Sequence, residues 1–188
     1  MFDGVKFRRY DAVGAKTVRD LVADIHRDAY GERVTGDGFS SDEAFMRRFD
    51  AYTARDGFDL LVAVDDAGEA IGQAWGWPLP ADTAWWRGLI EPPELGFTDE
   101  DGHRTFALSE IMVRQAFTGR GIAHALHDEL LSDRTEQRAT LLVRPTNTTA
   151  YQAYQRWGWR TVAKLRPDWP DAPLMHVLTL SLPQHRRS

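Results

Sequence analysis

Residues 113–123 read Val-Arg-Gln-Ala-Phe-Thr-Gly-Arg-Gly-Ile-Ala, a stretch able to hold a phosphate with backbone groups alone. An apolar strand-like run, Phe106 to Val113, leads into a turn carrying Gly119 and Gly121. That turn opens into an amphipathic helix with Ile122, Ala123, Leu126, Leu130 and Leu131. A helix start directs unpaired N–H groups and the positive end of its dipole at whatever lies above it. The glycines leave room for close approach to the backbone. Taken alone the turn has two readings, a phosphate cradle or an ordinary strand-to-helix connection.

A second pattern follows another short apolar strand, Ala139 to Val143. It comprises Asn147, Ala150, Tyr154, Gly158 and Trp159, with Thr146 or Asn147 as the expected helix cap. Ala150, Tyr154 and Trp157 lie near one helical face, and Gly158 ends the helix ahead of a strand starting at Trp159. With both patterns in this order and spacing, the chain resembles the GNAT superfamily of acetyl-coenzyme-A-dependent N-acetyltransferases over roughly residues 108–160. In that family the pattern Gln/Arg-x-x-Gly-x-Gly/Ala holds the coenzyme A pyrophosphate. Thr118 replaces the usual Gln or Arg here, while Gly121 and Ala123 keep the backbone positions.

The resemblance implies acetyl-CoA as co-substrate and a coenzyme A site at Gly119, Arg120, Gly121, Ile122, Ala123 and His124. Asn147 is either a pantetheine contact or a simple helix cap, and Arg120 and His124 are either phosphate contacts or solvated side chains. A backbone N–H within Ile111, Met112 and Val113, with Val113 favoured, is implied as the donor to the thioester oxygen. Tyr154, also placed against the cofactor, is implied as the acid that protonates the departing sulfur, ahead of Tyr151.

Acetylating an amine also requires a base. Glu110 lies within the apolar strand 107–113, where a carboxylate is costly unless paired or used. Burial would raise its pKa toward a useful range; a solvated face of the strand is the other reading. Cysteine is absent, which excludes disulfides and a cysteinyl acyl-enzyme, so direct attack in a ternary complex is expected. His124 and His127 share a helical face without forming a His-Glu-x-x-His pattern, and no metal is expected.

The elements that must position these residues run in a consistent order. Val5 to Tyr10 reads as a strand and Ala15 to Ala29 as a helix with an apolar stripe. After a glycine-rich loop, Gly31 to Gly38, Ser40 or Ser41 caps a helix bearing Ala44, Phe45, Arg48 and Phe49. Leu60 to Val64, a turn at 65–68, and Glu69 to about Trp77 form a hairpin. Two final strands end the chain, the last alternating over Leu174 to Leu180. The expected fold is α/β (α+β): one GNAT-like domain over 1–188 with a mixed, mostly antiparallel sheet of about six to seven strands. The sheet is splayed between strands 4 and 5 and flanked by about four helices. A long insertion spans about 78–103.

The insertion and its approach hold Trp75, Trp77, Trp85, Trp86 and Phe97, with Glu91, Glu94, Asp99, Glu100 and Asp101. Packing of aromatics on the sheet with the acids in water is favoured over a cation-binding wall. Arg33 and the loop around it are a further candidate for facing the acceptor, by the same resemblance.

The chain has 188 residues and a net charge of −5, which argues against a nucleic-acid surface. No apolar run suggests a signal peptide or membrane span, so a cytoplasmic chain is expected; the basic tail, His185 to Arg187, reads as a frayed end. The expected activity is acetyl transfer to a primary amine on a small molecule or peptide, and the resemblance admits a homodimer. The alternative is a coenzyme-A-binding sensor without turnover. A dinucleotide enzyme fits poorly, since the turn lies mid-chain and lacks a third glycine.

Overall fold

Two neighbouring strands, β2 (Asp59–Val64) and β3 (Ala70–Pro78), show no alternation, being buried along almost every residue. Such strands need cover on both faces. In the computed structural model, which describes residues 4–31, 41–168 and 172–182, helices supply it. Gly72 of β3 looks toward Leu126 of α4 (Ile122–Leu131), whereas Gln73 donates to the carbonyl of Val22 in α2 (Arg19–Tyr30). The period-two geometry of a strand thus assigns alternate residues to opposite layers.

The strands are hydrogen-bonded in the order β1-β2-β3-β5-β6-β8-β7-β4, where β1 is Lys6–Asp11, β4 Leu89–Ile90, β5 Thr105–Val113, β6 Arg138–Val143, β7 Arg160–Leu165 and β8 Met175–Ser181. The β5–β6 ladder is parallel and covers only 105–107 against 138–140. The β1–β2, β2–β3, β6–β8, β7–β8 and β4–β7 ladders are antiparallel. The chain divides into two compact units, Met1–Trp77 with Ser109–Asp133, and Pro78–Leu108 with Arg134–Ser188.

In the first unit the core gathers around Trp75, which stacks on Phe45 at 5.2 Å and lies 4.8 Å from Phe49. Both phenylalanines belong to α3 (Asp42–Tyr52), capped by Ser41, whose hydroxyl accepts from the Ala44 N–H. Ser40, Arg33 and the basic tail fall outside the described residues. The single helix expected over 15–29 is two: α1 (Ala12–Thr17) and α2. Asp11 caps α1 by accepting from the Gly14 N–H, and Val18 leaves helical geometry at φ −109°, ψ 20°. The apolar stripe that began at Val18 described α2 alone.

In the second unit the insertion is ordered and adds β4 at the sheet edge, giving eight strands among the described residues instead of six or seven. With α1 separate and α5 (Thr148–Arg156), the helices among the described residues number five instead of about four. Glu100 is the exception among the insertion's acids. It is buried, and its Oε1 accepts from Trp86 Nε1 at 3.1 Å, Thr105 Oγ1 at 2.8 Å and Arg138 Nη2 at 3.2 Å. The Arg138 guanidinium lies 4.3 Å from the Phe97 ring centre and 5.7 Å from that of Trp86. A chain arginine therefore takes the cation–π positions that a ligand could have used. Glu91, Glu94, Asp99 and Asp101 are exposed.

Replacing Glu100 with alanine strands the buried Arg138 charge. The expected cost is about 3 kcal/mol, which lowers Tm by roughly 10 °C for a chain of this size. Thermal unfolding of E100A beside E100Q checks this, and equal melting of E100A and wild type would refute the network's role.

Candidate functional site

The glycine turn of the first unit is held from below by α2. Arg114 ion-pairs with Asp24, lies 3.5 Å from Asp28 and donates through Nε to the Ala70 carbonyl at 2.7 Å. Asp28 Oδ1 accepts from the Gln115 N–H at 2.8 Å. A 3-10 turn, Gln115–Phe117, intervenes before the glycines and is closed by Thr118, whose hydroxyl donates to the Gln115 carbonyl. The turn expected between strand and helix is thus longer than its two glycines, with a short 3-10 segment at its start. Thr118 performs a local backbone role in place of the Gln or Arg side chain.

Gly119 and Gly121 have φ of +76° and +79°, where a Cβ is strained, which explains both glycines. Nothing lies within 4 Å of where a Gly119 Cβ would sit. Gly121 is the N-cap of α4, with no side chain closing the first turn and no acidic residue in it. The amide groups of Ile122, Ala123 and His124 therefore begin a helix without a side-chain cap, in a turn where Gly119, Arg120 and Gly121 are exposed. This backbone fits an anionic, phosphate-bearing group. Arg120 lies 5.1 Å from the Phe117 ring centre.

Further along α4, His127 is buried and its Nδ1 lies 2.8 Å from Asp128 Oδ1, which is also 3.4 Å from His124 Nε2. Burial pushes the His127 pKa down, against the pull of Asp128. Asp128 already links both rings, and the three side chains bring possible ligand atoms within 4.8 Å of one another.

On β5, Glu110 is 16% exposed and lies 3.7 Å from Arg48 of α3, itself 20% exposed. Burial raises the Glu110 pKa to about 7, only partly opposed by Arg48. Tyr52, one helical turn after Arg48, senses both charges, and burial raises its pKa. Of the neighbours of Glu110, Met112 is buried and receives a contact from Gln73 Nε2 at 3.2 Å, while Ile111 and Val113 are half-buried. The Gln73 Oε1 and Trp75 Nε1 are buried without hydrogen-bond partners among the described residues. The sequence reading missed the partner Arg48 and the polar positions Gln73 and Tyr52. A glutamine amid an apolar strand was the available signal.

The second unit carries the other motif. Asn147 caps α5, its Oδ1 accepting from the Ala150 N–H at 3.3 Å. Tyr151 and Tyr154 differ in surroundings. The Tyr151 hydroxyl bonds Thr161 Oγ1 at 3.0 Å and Gln155 Nε2 at 3.1 Å, and its ring lies 5.0 Å from His176. The Tyr154 ring packs edge-on against Trp157 at 5.5 Å and Trp159 at 6.0 Å. Trp157 caps the helix, Gly158 follows at φ +92°, and the strand begins at Arg160 rather than Trp159.

The sequence model described as the acetyltransferase (GNAT) family matches residues 19–159. The chain belongs to the GNAT acetyltransferase family. No curated protein matches it by sequence. Among solved structures it is similar to a GNAT phosphinothricin acetyltransferase from Sinorhizobium meliloti in complex with acetyl-CoA, with TM-score 0.63, 16% identity, and coverage of 98% of this chain and 92% of that one. A GNAT acetyltransferase from Elizabethkingia anophelis with acetyl-CoA bound gives TM-score 0.63 at 15% identity, covering 96% and 99%. A variant of the spermidine N-acetyltransferase from Vibrio cholerae gives 0.59 at 13%, covering 95% and 94%. These likenesses establish the GNAT fold. No helix among the described residues is long and apolar enough to cross a membrane.

The raised Glu110 pKa has a consequence for stability. Between the ordinary carboxylate range and pH 7 the folded chain keeps a proton that the unfolded chain has released, so stability falls as pH rises through that window. The loss between pH 5 and 8 is roughly 3 kcal/mol. E110Q, which cannot titrate there, should lack this component of the slope. Urea unfolding at both pH values decides it, and parallel slopes in the two proteins would count against a buried, titrating Glu110.

Proposed function

We propose that this GNAT protein transfers an acetyl group from acetyl-CoA to a primary amine by direct attack, without an acyl-enzyme. The observation that carries the reading is the Gly119–Gly121 turn, two left-handed glycines opening α4 with neither a side-chain cap nor an acidic residue in its first turn. Gly119, Arg120, Gly121, Ile122, Ala123 and His124 hold the phosphates of the co-substrate, chiefly through backbone N–H groups.

Glu110 serves as the base. The neutral amine nitrogen forms its bond to the acetyl carbon, the carbon–sulfur bond breaks, and the amine proton passes to Glu110 directly or through water. A carboxylate with a pKa near 7 accepts that proton effectively near neutrality. The backbone of Ile111, Met112 and Val113, with Val113 foremost, supplies the donor to the thioester oxygen. Tyr154 gives its proton to the departing sulfur. Tyr151 is less suited, because its hydroxyl already bonds Thr161 and Gln155. Asn147 orders the start of α5 and contacts the pantetheine arm. The acceptor is a small-molecule or peptide amine, and the protein acts in the cytoplasm with no metal.

Calorimetric titration with acetyl-CoA, beside NADH, is the first test. Binding of acetyl-CoA alone in the micromolar range is expected, and no binding would remove both the transferase and a coenzyme A sensor. With an acceptor in hand, kcat/KM reckoned on the neutral form of the amine should climb about tenfold per pH unit below pH 7 and level off above it. E110Q should lose on the order of 100-fold or more in kcat, and Y154F roughly 100-fold. Unchanged kcat in either variant would remove that residue from its role. Binding without turnover on any amine would favour the sensor.

A further inference from the structure

A primary amine brings two N–H groups and a lone pair to the thioester, and acetyl transfer uses the lone pair and only one of those hydrogens. The second N–H is a polar group that needs an acceptor of its own once water is displaced. The face of the sheet that carries Glu110 offers one. Within the first unit the Arg114 N–H donates to the Ile71 carbonyl at 2.9 Å, and Gln73 Nε2 lies 3.2 Å from Met112 Sδ. Moving up β3 therefore moves down β5, and this register sets Trp75 opposite Glu110. Alternation puts Gln73, Trp75 and Trp77 on that one face. Phe45 and Phe49 pack on Trp75, and Tyr52 packs on the buried Trp77, with ring centres 4.1 Å apart and planes 30° apart. Tyr52 is itself half-buried. It also follows Arg48 by one helical turn, and Arg48 lies 3.7 Å from Glu110. Strand and helix thus bring a phenol beside the base, within reach of its charge.

We propose, on the transferase reading above, that Tyr52 selects primary over secondary amines: its hydroxyl oxygen accepts the N–H that stays on the nitrogen, while Glu110 takes the proton that leaves. As the carbon–nitrogen bond forms and the carbon–sulfur bond breaks, one proton passes from nitrogen to Glu110 and the sulfur departs with the coenzyme. The N–H held by Tyr52 becomes the amide N–H of the product. With both N–H groups and the carbon substituent fixed, the lone pair has one direction left, toward the acetyl carbon. A phenolate would compete with Glu110 for the leaving proton. Burial raises the Tyr52 pKa, with Arg48 only partly opposing, so the group stays a phenol and accepts a hydrogen bond without taking the proton. A secondary amine places a methyl group where the second N–H would be. The methyl gives the hydroxyl oxygen no hydrogen bond and keeps water from it. Packing on Trp77 uses the ring of Tyr52 and not its hydroxyl, so removing the oxygen alone separates the two roles.

The experiment gives the full chain acetyl-CoA and a set of primary amines, each beside its N-methyl derivative: benzylamine, glycine, 1,4-diaminobutane and a peptide beginning with glycine. The pair used best is then offered to Y52F, which keeps the ring on Trp77. In the wild type the primary amine should exceed its N-methyl derivative by about 100-fold in kcat/KM. Y52F should lose roughly tenfold on the primary amine and nothing on the N-methyl derivative, so that the ratio falls by about the same factor. Calorimetric binding of acetyl-CoA by Y52F should match the wild type, which separates loss of the contact from loss of the fold. If Y52F does not fold, the wild-type panel still decides the question. Equal use of both members of every pair, a ratio that survives in Y52F, or equal losses on both amines would overturn the proposal and leave the transferase reading intact. Acetyl-CoA binding with no acetylation of any amine would end the transferase reading, and this proposal with it.

Discussion

Taking a carboxylate out of water costs several kcal/mol unless hydrogen bonds or an opposite charge replace the lost solvent. Each compact unit contains such a group. In the second, Glu100 receives an indole N–H, a hydroxyl and a guanidinium on one oxygen, and Arg138 is further fixed by Thr105 Oγ1 and the Phe97 carbonyl. That carboxylate is spent on structure: it ties an insertion without regular repeat to the strands β5 and β6. In the first, Glu110 faces an arginine at 3.7 Å, and burial outweighs what that cation returns. Its charged form is therefore poorly compensated, and the proton affinity rises toward neutrality. The same chemical group becomes a brace or a base according to how many donors the fold supplies.

Such a difference is hard to read from a sequence. Glu110 stood out as a charge inside an apolar strand, and that anomaly survives folding. Glu100 lay among Glu94, Asp99 and Asp101 in a stretch that looked uniformly solvated, and nothing local separates it from them. Its burial depends on Arg138, 38 residues away, and on Thr105. Arg48 was hidden for a similar reason. Its place on a helix face was legible, but its partner lies on β5. Contacts set by tertiary packing carry no short-range signal.

The backbone features were the more legible part. Left-handed positions demand glycine, so Gly119, Gly121 and Gly158 declared their turns directly. Asn147 and Ser41 declared helix starts for the same local reason. The first helix was misread because its cap, Asp11, directly follows the strand read over Val5 to Tyr10 and was not taken as a helix start, and because the kink at Val18 requires neither proline nor glycine. The 3-10 turn at Gln115–Phe117 was missed because its anchors are two aspartates on α2. Where a residue type is forced by its own φ angle or cap, sequence suffices; where a distant side chain does the forcing, it does not.

The arrangement of α3 shows how core packing can set chemistry. Phe45 and Phe49 bury one stripe of the helix against Trp75. Arg48 and Tyr52 follow each of them by three residues, which turns them onto the adjoining strip of the same helix. The helix cannot rotate without exposing two phenylalanines, at about 3 kcal/mol or more each if their burial were lost. The aromatic contacts therefore determine where the guanidinium sits relative to Glu110. Positional accuracy at this polar pair is inherited from the adjoining aromatic core, whose Phe45 ring centre lies 5.9 Å from the Arg48 guanidinium. A substitution at Phe45 would be felt at Glu110 through the helix, with the chemistry of both polar groups left in place.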